Sequence, residues 1–134
     1  MLDCIFCKIV KSDIPAHKVY EDNKVLAFLD VKPHTKGHTV VVPKKHMVRI
    51  FDLEDKEIGE LFVSVRKIMS ILDKKLNPDG FNVGWNHNTA GGQVVPHLHI
   101  HIMPRYINDG GGSMHSIIKN PGKMNVEEVA RLFK

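Results

Sequence analysis

Residues 95–102 read Val-Pro-His-Leu-His-Ile-His-Ile, three histidines in strict alternation with apolar side chains. A period of two belongs to a β-strand, whose successive side chains point to opposite faces. Leu98, Ile100 and Ile102 make a face fit for burial, and His97, His99 and His101 line the other. At ~3.3 Å of rise per residue, alternate Cβ atoms stand about 6.6 Å apart. Such a run predicts one strand of a half-buried sheet. It presents three imidazoles to one ligand, or lets one of them leave the row to bind a metal.

The remaining segments supply that sheet. An apolar stretch over 5–10 reads as a short helix ending before Pro15. Two short strands follow at 18–20 and 25–29, joined by the turn Glu21-Asp22-Asn23-Lys24. After a loop over 30–37 comes a β-branched strand, 39–42, closed by Pro43. Ile58, Leu61, Phe62, Val65, Ile68, Met69, Leu72 and Leu76 then recur at three- and four-residue spacing, the stripe of one long helix that Asn77-Pro78 ends. A fourth strand is expected at 81–85 and the histidine strand at 94–103, with a polar, glycine-rich connection over 86–93. Beyond a glycine-rich linker at 108–113, Asn125 and Glu128 form a capping box for a last helix at 126–133. The pattern predicts an α+β fold: a five-stranded antiparallel sheet, one long helix and short terminal helices. Its 134 residues suit a single domain, with a core over 1–107 and a flexible linker and helix over 108–134.

A formal charge of +4 favours anionic substrates but is too small and too scattered to indicate nucleic acid. No apolar run approaches the roughly 20 residues of a membrane span. Met1-Leu2-Asp3-Cys4 lacks the basic region and apolar core of a signal peptide, which predicts a cytoplasmic protein whose two cysteines stay reduced.

Those cysteines stand at Cys4 and Cys7. A Cys-x-x-Cys pair can bind zinc, form a redox dithiol, or simply pack. The thioredoxin arrangement expects a strand before the motif, and position 4 leaves no room for one. Zinc would need two more ligands, for which His46 and one member of the histidine row are candidates. A closed site of two cysteines and two histidines has no open position, so the ion would be structural.

The segment His97-Leu98-His99-Ile100-His101-Ile102-Met103 resembles the signature of the histidine triad family, His-φ-His-φ-His-φ-φ with φ hydrophobic. The resemblance extends to Cys4-Ile5-Phe6-Cys7-Lys8-Ile9, similar to the opening of zinc-containing bacterial members. It continues through Ala27-Phe28-Leu29-Asp30, Lys36-Gly37-His38-Thr39, Val42-Pro43-Lys44-Lys45-His46 and Gly91-Gly92-Gln93-Val94-Val95-Pro96-His97. It implies a homodimer that hydrolyses or transfers nucleotides, purine nucleotides among them, through a covalent nucleotidyl-histidine. His99 is the implied nucleophile, its tautomer set by the carbonyl of His97, and His101 the implied aid at the phosphate or leaving group. Neutral imidazole suits the task, because it attacks phosphorus near pH 7 without a separate base. Cys4, Cys7, His46 and His97 are the implied zinc ligands.

Nucleoside binding carries over to Ile5, Phe6, Ile9, Phe28, Asp30 and Val31, the Asp30 carboxylate meeting ribose hydroxyls. His38, Asn86, Gly92 and Gln93 fall at positions near the phosphates, where a Gly91-Gly92-Gln93 turn can offer N–H groups to an anion. His17, His34, His87 and His115 read as incidental. Two departures stand out: Val94 replaces a serine of the eukaryotic phosphoramidase members, and the segment after Arg105 is longer than in that branch. The expected activity is therefore hydrolysis of nucleoside phosphoramidates or dinucleoside polyphosphates. The alternative is a zinc-stapled nucleotide- or nucleic-acid-binding module without turnover, against which the chain shows no basic stripe and no stacking platform.

Overall fold

The computed structural model describes residues 3–134. Helix α1 (Ile5–Val10) precedes strands β1 (Lys18–Glu21), β2 (Val25–Leu29) and β3 (Thr39–Pro43). The long helix α2 (Asp55–Leu76), β4 (Gly80–Gly84), β5 (Ile100–Arg105) and α3 (Val126–Arg131) complete the chain. The strands form one sheet in the order β1-β2-β3-β5-β4, every pairing antiparallel. The edges are β1 and β4.

Two apolar layers fix what lies on each side of that sheet. Leu61, Val65, Ile68 and Leu72 of α2 pack on Val25, Ala27, Val41, Leu98, Ile100 and Ile102. On the opposite face, Ile9 of α1 packs with Leu26, Phe28, Val40 and Val42. Covered on both faces, β2 and β3 are buried at almost every position, which is why they read as unbroken apolar runs and not as alternating ones. The histidine face of β5 shares its side of the sheet with α1.

Local signals set the ends of α2. Glu54 and Glu57 make a capping box, the Glu57 carboxylate accepting from the Glu54 N–H at 2.9 Å. Asn77, with φ of +50°, closes the helix in the left-handed conformation that asparagine tolerates. The capping box read at Asn125 and Glu128 forms at the start of α3. The glycine-rich stretch after β5 is tied at its start, where the Arg105 guanidinium donates twice to the Asp109 carboxylate at 2.7 and 2.9 Å and also reaches Asn82 and the Gly112 carbonyl. No helix among the described residues is long and apolar enough to cross a membrane.

One sequence expectation needs correction. The histidine run does not form a regular strand over 94–103, because the paired strand begins only at Ile100 and continues to Arg105. The β3 partners run Thr39↔Ile102, Val40↔His101 and Val41↔Ile100, and β3 ends at Pro43. Proline has no N–H to extend the ladder. The Leu98 N–H turns instead to the Met47 carbonyl, at 2.6 Å. His97 and His99 therefore lie just outside the ladder, on backbone free to bend, while His101 lies within it.

Candidate active site

Each of the three alternating histidines is fixed by a different partner. His97 is fully buried, and its Nε2–H donates to the Pro43 carbonyl at 2.8 Å. Its Nδ1 therefore carries a lone pair, and that atom faces two sulfurs, Cys4 Sγ at 3.4 Å and Cys7 Sγ at 3.6 Å. His46 Nδ1 stands 3.2 Å from Cys7 Sγ. The ligand atoms of Cys4, Cys7, His46 and His97 all lie within 4.8 Å of one another, a cluster able to hold a metal ion. Burial holds His97 down at a pKa of about 4 and pushes the Cys7 thiol up.

His99 takes the opposite tautomer. Its Nδ1–H donates to the His97 carbonyl at 2.7 Å, so Nε2 bears the free lone pair. Burial lowers its pKa below the ordinary histidine value, which keeps the ring neutral at pH 7. The Phe6 ring lies edge-on to it with centroids 4.9 Å apart, and also meets Phe28 at 5.7 Å and His97 at 5.9 Å.

Helix α1 is thus shared between two tasks. Cys4 caps it, its sulfur accepting from the Cys7 N–H at 3.4 Å, and Cys7 lies on the first turn. Phe6 and Ile9 of the same turns face the histidines and the sheet. Ile9 and Phe28 are core residues, whereas Ile5 is 46% exposed and Val31 83% exposed. Of the six expected nucleoside contacts, Ile5 and Val31 are exposed, Phe6 and Asp30 are partly buried, and Ile9 and Phe28 lie in the core.

His101 Nδ1 lies 2.9 Å from His38 Nε2, and the two rings of His99 and His101 are 5.0 Å apart. Burial, with the neighbouring His99 and His38, brings His101 down to about 4. His38, expected near the phosphates, is only 2% exposed and sits behind His101 with both ring nitrogens engaged. Asp30 points one carboxylate oxygen to within 3.7 Å of His38 Nε2, and its other accepts from the Lys32 N–H.

The glycine turn differs from its sequence reading. The N–H groups of Gly91, Gly92 and Gln93 already donate within the turn, to Asn88, Thr89 and Asn88 carbonyls. The Gln93 side chain braces the same loop, donating to the Val48 and Val95 carbonyls and accepting from the Asn88 N–H. These residues hold the loop; they are not free donors to an anion. Gly92 adopts φ of +98°, where glycine alone is unstrained, and the exposed Asn86 amide lies against it. Two contributors leave no trace in side-chain pattern: the carbonyl of Pro43 and the backbone N–H of His34.

Comparison with known proteins bears on the fold and the family. A family model described as the HIT domain matches residues 11–108. An uncharacterized HIT-like protein of Methanocaldococcus jannaschii is 46% identical over 131 residues, covering 98% of this chain and 98% of its own length. An adenosine 5'-monophosphoramidase of Schizosaccharomyces pombe is 40% identical over 104 residues, 78% of this chain and 75% of that protein. Among solved structures, a HIT family protein from Bacillus subtilis superposes with a TM-score of 0.85 at 39% identity, covering 98% of this chain and 92% of that one.

Proposed function

This chain belongs to the HIT domain family, and from that premise we propose that it is a nucleotidyl hydrolase that works through a covalent nucleotidyl-histidine on His99. Its substrates are nucleoside phosphoramidates or dinucleoside polyphosphates. The observation that carries the reading is the 2.7 Å hydrogen bond from His99 Nδ1 to the His97 carbonyl. It commits the other nitrogen, Nε2, to a lone pair that is neutral, oriented and available at pH 7. Attack of Nε2 on the α-phosphorus expels the leaving group, and water then hydrolyses the P–N bond to release the mononucleotide and restore the imidazole. The phosphoramidase among its relatives supports nucleotide hydrolysis as the general activity.

Recognition of the nucleoside falls to Phe6, Ile5 and Val31, with Asp30 accepting from ribose hydroxyls. Cys4, Cys7, His46 and His97 are the residues that would hold a metal, and zinc fits them best. Two thiolates and two imidazoles are its structural donor set, and sulfur–nitrogen separations of 3.2 to 3.6 Å suit the edges of a tetrahedron with bonds of ~2.0–2.3 Å. The Nε2–H bond of His97 to Pro43 is the outer contact that orients such a ligand. Four protein ligands would leave such an ion no open position for substrate, and its role would be to secure α1 to the segment that carries His99.

The test is brief mixing of the protein with a panel of nucleotides, followed by mass spectrometry. A nucleotidyl adduct on His99 is expected for true substrates. In a His99→Ala variant turnover falls by several orders of magnitude, ~10⁴-fold or more by analogy with lost nucleophiles elsewhere, while nucleotide binding persists. Unchanged turnover in that variant defeats the assignment.

A further inference from the structure

The contacts behind His101 determine which of its ring nitrogens carries the proton. One group there has no choice of role, the backbone N–H of His34. It donates to His38 Nδ1 at 3.2 Å, so that nitrogen is an acceptor. A neutral imidazole then has its one proton on Nε2. His38 Nε2 lies 2.9 Å from His101 Nδ1 and 3.7 Å from the Asp30 carboxylate, so the hydrogen bond runs to His101. His101 Nδ1 is consequently the acceptor, and its proton sits on Nε2, on the side of the ring away from His38.

We infer that His38 is a positioning residue: with the His34 N–H behind it, it holds His101 in the Nε2–H tautomer, so that His99 and His101 meet the phosphoryl group as lone pair and N–H donor. The inference rests on the nucleotidyl-histidine reading and deepens it. Two imidazoles of one run are made chemically opposite by what stands behind each, a carbonyl for His99 and an N–H donor for His101. The engaged N–H groups of the glycine turn leave His101 as a principal donor to the phosphoryl oxygens.

The same chain assigns His101 its limits. It donates a hydrogen bond and keeps its proton. Releasing that proton from a neutral ring would leave imidazolate, and His38 has no second proton to replace it, its Nδ1 being closed by the His34 N–H. The preferred substrates are therefore those whose leaving group departs as a stable anion, or an amine that arrives protonated or takes its proton from water. The chain also explains why Asp30, His38 and His101, whose ligand atoms lie within 4.8 Å of one another, are not read as a metal site. A metal on His38 Nε2 would need that nitrogen's lone pair while Nδ1 already uses its own.

The decisive measurement is long-range ¹⁵N–¹H correlation of the histidine rings in the full-length, ¹⁵N-labelled protein near pH 7. His38 and His101 are expected with protonated Nε2 and bare Nδ1, and His99 with the reverse. A protonated Nδ1 on His101 overturns the inference. Two variants supply the kinetic arm. His38→Leu lowers kcat about 10–100-fold with little change in KM, the usual cost of an outer orienting contact. His38→Gln, whose amide N–H can still donate to His101, recovers part of that loss; equal losses in both variants count against the role. The ring spectra of the unaltered protein decide the matter even where a variant fails to fold. Absence of a His99 adduct would instead bring down the nucleophile reading and leave the tautomer result standing.

Discussion

At the scale of the residue, the site is a set of tautomers. His97 faces sulfur with a bare Nδ1, His99 keeps a bare Nε2, and His101 carries its proton on Nε2. Nothing in their own side chains distinguishes the three; what stands behind each does, a backbone carbonyl at 2.8 Å for His97 and 2.7 Å for His99, and for His101 the His38 ring at 2.9 Å, itself set by the His34 N–H. His101→Ala is therefore expected to lower kcat about 10²–10³-fold, the range seen when one preorganised donor to a developing charge is removed. Adducts should still form on His99, and mass spectrometry of the trapped intermediate checks both points. A fall in nucleotide affinity with kcat preserved would contradict the assignment. Sequence made the triad and the Cys4–Cys7 pair legible because side-chain type and spacing carry them. It could not reveal His34 or Pro43, which act through N–H and C=O groups that every residue type, or nearly every one, possesses.

At the scale of the element, the six residues of α1 deserve comparison with the histidine run. Sequence pattern predicts a regular element for each, and only the helix is one throughout. The run breaks because Pro43 ends the facing strand, a pairing fact that no local pattern contains. By contrast β2, β3 and the apolar stripe of α2 were legible to within a residue or a turn, since burial on both faces or on one stripe writes itself into hydrophobic order. Helix α1 carries Cys4 and Cys7 at its start and Phe6 between them, so loss of the metal should be felt by the ligand. Cys4→Ser/Cys7→Ser is expected to contain no zinc by elemental analysis, against one ion per chain in the unaltered protein. The variant should also show a raised KM and a lower Tm. Chelation that abolished turnover while leaving stability untouched would refute a structural ion.

At the scale of the whole molecule, the buried imidazoles link folding to pH. His38 is lowered by burial and His101 stands at about 4, whereas an unfolded chain binds protons near 6.5. Between about pH 6.5 and 4 the unfolded state holds more protons, so stability rises with pH across that window and is fully present above it. Denaturant titrations from pH 4 to 7.5 should show the midpoint climbing to a plateau near neutrality; a midpoint that falls with rising pH would contradict this. The homodimer that the family resemblance implies would use an open edge of the sheet, and we propose β4, which has Trp85 just beyond it, packed on Phe62 at 5.8 Å and partly exposed. Sedimentation at low micromolar concentration should give about twice the chain mass of 15.2 kDa, and a monomer there would exclude a stable dimer. The double duty of α1 has one more result, a thermodynamic reciprocity. By whatever factor a bound ion tightens nucleotide binding through keeping Phe6 against His99, a bound nucleotide must tighten the ion's own binding at equilibrium.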